Sequence, residues 1–68
     1  MKEHKLYTAR ANYQDVQYFY KKEKRDINGN SRFRVFVIDN DGLVYENIVT
    51  CYECEIEKYV IAFCECDL

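Results

Sequence analysis

The stretch RFRVFVIDNDGLVYENIV, Arg32 to Val49, decides the fold. Two β-rich runs, Arg32–Ile38 and Leu43–Val49, flank Asp39-Asn40-Asp41-Gly42. Asn, Asp and Gly are the residues that tolerate positive φ, so this junction predicts an antiparallel hairpin. Phe33, Val35 and Val37 alternate with Arg34, Phe36 and Ile38, which leaves both faces of the first run partly apolar. A strand with two apolar faces belongs in the interior of a sheet.

Working outward toward the N-terminus, a period of two marks two more strands. Tyr7, Ala9 and Ala11 alternate within 5–11, and Val16, Tyr18 and Tyr20 within 16–20. Asn12 to Asp15 form the turn between them, the alternative being a short helix starting at Asn12 with Val16, Phe19 and Tyr20 facing inward. The polar run from Lys21 to Ser31 closes on Asn28-Gly29-Asn30, a second turn.

Toward the C-terminus the period is ambiguous. Thr50-Cys51-Tyr52-Glu53 fits a capping box, in which the Thr hydroxyl and the Glu carboxylate three residues on each satisfy a free backbone donor at a helix start. Tyr52, Ile56, Tyr59, Val60 and Phe63 then fall on one helical face. The competing reading is a hairpin, because Glu53, Glu55 and Glu57 alternate with Cys54 and Ile56, but it would have to turn near Glu57-Lys58 without Gly, Asn or Pro. The expected architecture is α+β: a three- or four-stranded antiparallel sheet with one C-terminal helix of about four turns packed on it. The alternative is an all-β chain ending in a Cys-rich hairpin.

The 68 residues make one domain, 1–68, and a chain of this size buries only about 60 % of its unfolded surface. Seven Tyr and four Phe supply the bulk of one core. No run approaches the ~18 apolar residues of a membrane span, and MKEHKLYTAR lacks the apolar centre of a signal peptide, so the expected location is the cytoplasm. The formal charge of -2 conceals a division. Residues 1–34 hold nine Lys/Arg against four Asp/Glu, and 35–68 hold one against eight. Either the halves attract each other in the folded state or one charged face is displayed to a partner.

Four cysteines crowd the last 18 residues, as Cys51-x-x-Cys54 and Cys64-x-Cys66. Two close thiolate pairs suit a tetrahedral zinc ion. On one continuous helix, however, Cys54 and Cys64 stand about 15 Å apart and cannot share an ion. Only the hairpin reading lets Cys51 face Cys64 and all four sulfurs converge. Cys-x-x-Cys at a helix start also suggests thiol redox chemistry, against which Glu53, Glu55 and Glu57 would raise the thiol pKa. As small core residues Cys54 and Cys64 need no chemistry at all.

Catalysis has little to work with. His4 is the one histidine, Ser31 the one serine, and the two glycines sit in turns, leaving no nucleophile with a base and no phosphate loop. The expectation is a non-enzymatic binding protein without a cofactor. Lys21-Lys22-Glu23-Lys24-Arg25 beside Tyr18, Phe19 and Tyr20, followed by Arg32 and Arg34, makes residues 18–34 a basic, aromatic candidate for nucleic acid. A zinc- or nucleic-acid-binding module is therefore the alternative function.

Asn40-Asp41-Gly42-x-x-Tyr45, then Thr50, Glu53 and Ile56-Glu57-Lys58-Tyr59-Val60-x-Ala62-Phe63, resembles the hairpin-and-helix core of the small acidic phage-encoded anti-CRISPR proteins that act as type II-A inhibitors. The resemblance runs without a gap over about 24 residues. The family's leading helix and long acidic tail have no counterpart, and the first half of this chain is basic. The resemblance implies a protein encoded by a phage or mobile element that blocks a host RNA-guided nuclease by mimicking DNA, its carboxylates standing where phosphates would meet Arg and Lys. It also implies that Asn40, Asp41 and Gly42 form the tip presented to the nuclease. From charge alone, Asp39, Glu46, Glu53 and Glu57 would extend that face.

Overall fold

A computed structural model describes residues 5–39 and 41–67. Four strands, β1 (Tyr7–Ala11), β2 (Gln14–Lys22), β3 (Arg32–Ile38) and β4 (Val44–Thr50), form one antiparallel sheet in the order β1-β2-β3-β4. A single turn of 3-10 helix, Glu53–Glu55, leads into α1, Ile56–Asp67. The α+β expectation holds, with four strands. The short helix at Asn12 and the C-terminal Cys-rich hairpin do not form.

Each loop explains its strand register. Asn12 and Tyr13 both take positive φ, 51° and 63°, so β1 and β2 meet through a two-residue turn that pairs Ala11 with Gln14. The expected four-residue turn ending at Asp15 is therefore shorter, and β2 starts two residues early. The other two connections share one construction. Asp26 Oδ1 accepts the Asn28 and Asn30 N–H groups at 2.9 Å each, and Asp39 Oδ1 accepts those of Asp41 and Leu43 at 2.9 and 2.8 Å. Gly29 and Gly42 occupy matching positions with φ of 82° and 81°, where a side chain would be strained. Asp-x-Asn/Asp-Gly thus occurs twice as the same turn.

Strand alternation sends Phe33, Val35 and Val37 to one face, joined there by Tyr18, Ala9 and Ala11. Helix α1 covers that face with Ile56, Val60 and Cys64, spaced four apart and each at most 1 % exposed. It packs mainly against β1, where Ala9 and Ala11 let the backbones approach closely. Tyr7 stacks on Tyr18 and Tyr20 at 5.4 and 5.3 Å, and Tyr20 meets Phe33 edge-on. This aromatic row closes the side of the core.

The helix begins later than the capping box at Thr50 predicts, because Thr50 is the last residue of β4 and pairs with Arg32. The Cys51 N–H donates to Ser31 carbonyl oxygen, prolonging the ladder. Glu55 takes the reciprocal role instead, accepting the Tyr52 backbone N–H at 3.1 Å. Tyr52, before the helix, is 75 % exposed, and Tyr59 also lies outside the core. The buried stripe runs through Cys64 because a thiol, unlike a phenol, needs no hydrogen-bond partner. Among the described residues no helix is long and apolar enough to cross a membrane.

Candidate functional site

The acidic positions singled out from sequence lie in four different surroundings. Asp39, Asp41 and Gly42 build the β3–β4 turn just described, and Asn40 lies outside the described residues. Recurrence of the turn at 26–30 accounts for the Asp39 and Gly42 positions by backbone geometry alone. Glu46 stands on the sheet face opposite the helix and is ion-paired to Arg34. Glu53 accepts the Tyr20 hydroxyl at 2.6 Å, tying the helix entrance to β2. Glu57, on the first turn of α1, is exposed, and its charge near Tyr18 helps to push that phenol's pKa up after the effect of burial.

Arg32 and Thr50 pair at one end of the β3–β4 ladder, Ile38 and Val44 at the other, so six residues, about 20 Å of strand, separate the turn from the helix entrance. The turn and the helix carboxylates therefore sit at opposite ends, and Glu46 points away from both. The helical layer carries, besides Glu57, Glu55 on the 3-10 turn and Glu65 near the helix end, two residues that the sequence reading did not single out. Among the described side chains none of these three forms an ion pair with a basic residue. Part of their role is local, since Glu55 and Glu57 near the helix start oppose its positive dipole end.

All three ion pairs of the described residues lie on the uncovered face of the sheet. Arg10 meets Asp15 across β1 and β2 at 3.4 Å, and Arg34 is held by Glu23 at 2.9 Å and by Glu46. The Arg34 guanidinium in turn draws the Glu23 carboxyl below the ordinary carboxylate range. Between these pairs Phe19 and Phe36 stack as direct cross-strand neighbours, ring centres 4.8 Å apart and planes at 11°. Ile38, Val44 and Ile48 extend the apolar surface, Val44 and Ile48 being 56 % and 40 % exposed.

A cleft of 380 Å³ bounded by Glu23, Lys24, Arg25, Arg32, Arg34 and Ile48 marks one end of this face. A shallow groove lined by Thr8, Asp15, Gln17, Ile38 and Asp39 marks the other. The basic, aromatic stretch 18–34 is thus divided by strand alternation. Tyr18 and Tyr20 turn toward the helix, while Phe19, Lys21, Arg32 and Arg34 share the open face. The ring pair is turned face to face, which occupies one stacking surface of each ring.

The cysteines are divided as well. Cys51 and Cys64 are buried, and burial pushes both thiols up from their usual pKa. Cys54 and Cys66 are exposed. Because the segment is helical, Cys51 does not come to face Cys64 in the way a four-sulfur site requires. Among the described residues no three His, Cys, Asp or Glu side chains gather as a metal-ligand group. Redox use of Cys51-x-x-Cys54 meets the same geometry, one sulfur in the core and the other in solvent.

No protein-family model, curated protein or solved structure matches this chain.

Proposed function

We propose that this chain is a non-enzymatic binding domain that presents the acidic outer side of its helix to a basic protein surface. The observation that carries the reading is the separation of charge. Glu55, Glu57 and Glu65 stand on the helical layer without a basic partner, while the ion pairs and the clustered Lys and Arg side chains occupy the opposite face. Of the two readings that the charge division allowed, display to a partner therefore has the better support. Only Arg34–Glu46 links the basic and acidic halves among these ion pairs. Against Glu55, Glu57 and Glu65 the helix carries one exposed cation, Lys58, and a layer of net negative charge steers a basic partner and fixes its orientation.

The partner chemistry that fits is a protein whose Arg and Lys side chains are arranged for nucleic acid. The likeness of residues 40–63 to type II-A anti-CRISPR proteins makes an RNA-guided nuclease the first one to try. In that setting the chain would be a phage or mobile-element product acting in the cytoplasm of a bacterial host. The deciding surface shifts from the turn at 39–42 to the helix, because Asp39 and Gly42 of the turn are already accounted for by its fold.

The test is inhibition of guide-directed DNA cleavage by a purified type II-A nuclease, with the protein titrated in at low and at high salt. Inhibition that weakens with salt and with Glu57→Lys plus Glu65→Lys supports the reading. The double charge reversal should weaken binding by about tenfold or more, since like charges across an interface cost several kcal/mol. Inhibition indifferent to both changes would remove the helical layer as the contact surface.

A further inference from the structure

We propose that the open face of the sheet is where a second copy of this chain docks, two sheets packing face to face about a two-fold axis that crosses the strands. The case begins with an imbalance. The buried core lies wholly on the helix side of the sheet, and a chain of this length has little apolar surface to spare. Yet Phe19, Phe36, Ile38, Val44 and Ile48 stand on the uncovered side. The Arg34–Glu46 ion pair lies among them, between Phe36 and Ile48, and a face that mixes exposed apolar side chains with charge in this way is a usual form of protein contact surface.

Charge selects the occupant. The open face is net basic at the end bounded by Glu23, Lys24, Arg25, Arg32 and Arg34, and, with Arg10 paired to Asp15, net acidic through Asp39 at the end bounded by Asp15 and Asp39. Phe19 and Phe36 lie between the two. Rotation by 180° about an axis across the strands lays the basic end of one copy on the acidic end of the other, and every such contact then occurs twice. The strands of the two sheets stay aligned, as stacked sheets require. An axis along the strands would place like charges together.

Two further observations favour a sheet over other occupants. Phe19 and Phe36 stack on each other at 4.8 Å, so one face of each ring is taken up within the sheet. Pairing through the β4 edge is blunted at Ile48, whose N–H donates to Asn47 Oδ1 at 2.9 Å. Four strands of five, nine, seven and seven residues, at about 3.3 Å per residue and about 4.8 Å apart, give a face of roughly 400 Å² in projection. Both copies together give roughly 800 Å², in the range of weak associations, so the dimer is of the concentration-dependent kind. It leaves both acidic helical layers outward, and the inference does not rest on the proposed function.

Sedimentation velocity of the full chain under reducing conditions, from low micromolar to near-millimolar concentration, is the test. A reversible monomer–dimer equilibrium is expected. Phe36→Ser and Arg32→Glu should each weaken it by about tenfold or more. Because Phe36→Ser removes half of a stacked pair, Arg32→Glu serves as the surface change that leaves the fold intact by circular dichroism. A chain that stays monomeric throughout overturns the proposal. So does a dimer indifferent to Phe36→Ser and Arg32→Glu, or a monomer whose open face instead binds a single-stranded oligothymidine.

Discussion

The two faces of this sheet are built from neighbouring residues of the same strands and come out differently. Val37 is fully buried beneath α1, whereas Ile38, one residue on, lies half-buried on the uncovered side. The covered face is apolar and aromatic with its polar atoms tied off, as in the Tyr20–Glu53 bond. The open face mixes phenylalanines with ion pairs that leave it both adhesive and charged. Fold stability is concentrated on one side, and the capacity for contact is left on the other face and on the outer side of the helix.

The sharpest way to break this contrast is to truncate matched residues. Ile56→Ala, beneath the helix, should cost about 3 kcal/mol of unfolding free energy, and Val37→Ala somewhat less. Ile38→Ala, measured by urea denaturation at concentrations too low for self-association, should cost under about 1 kcal/mol. Equal losses at Val37 and Ile38 would mean that the open face is covered in the monomer.

A smaller effect separates the faces by pH. Tyr18, Tyr20 and the thiols of Cys51 and Cys64 all have folded pKa values raised by burial, with the Glu53 hydrogen bond adding to the effect at Tyr20. These groups are neutral when protonated, so the unfolded chain releases their protons first. Their contribution is present below the unfolded pKa values and fades as pH rises above about 9. Thermal melts should therefore shift down on the alkaline side. Tyr20→Phe should cost about 1 kcal/mol near neutrality and soften the alkaline decline. On the open face the sign is reversed for Glu23, whose lowered carboxyl adds stability that disappears as pH falls below about 4.5. A melting curve flat from pH 8 to about 10 would contradict the alkaline half of this account.

Smaller again is the turn at Asn12-Tyr13. A tyrosine at φ 63° is unusual, and Tyr13→Gly should stabilise the hairpin by up to about 1 kcal/mol. Least of all, Glu57→Lys on the exposed helix surface should change stability by within about 0.5 kcal/mol, so that any effect on binding reads as contact. A large loss of stability there would make Glu57 a structural residue.

Much of the covered face was legible in sequence. Turn chemistry at 39–42 set the β3–β4 pairing, and the two apolar faces of β3 placed it inside the sheet, where it lies between β2 and β4. The helix was legible through Ile56, Val60 and Phe63, but its start was not, because Thr50 serves a strand as readily as a cap. Asp26 went unnoticed as the start of a second Asp-x-Asn-Gly turn. The acidic face was the least legible part. Charge counts add Asp39, Glu46, Glu53 and Glu57 together, whereas strand alternation and the length of β4 set them apart. The phase of Gln17, Phe19 and Lys21 against Val16, Tyr18 and Tyr20 was the available signal for the open face.

The central claim is that this domain binds a basic protein partner through its helical layer. Its most direct test is the affinity of the purified chain for a guide-loaded type II-A nuclease, measured alongside the Glu57→Lys plus Glu65→Lys variant. Saturable binding that competes with target DNA and weakens by about tenfold or more in the variant is the predicted result. Absence of binding by the folded wild-type chain, or equal binding by both proteins, would contradict it.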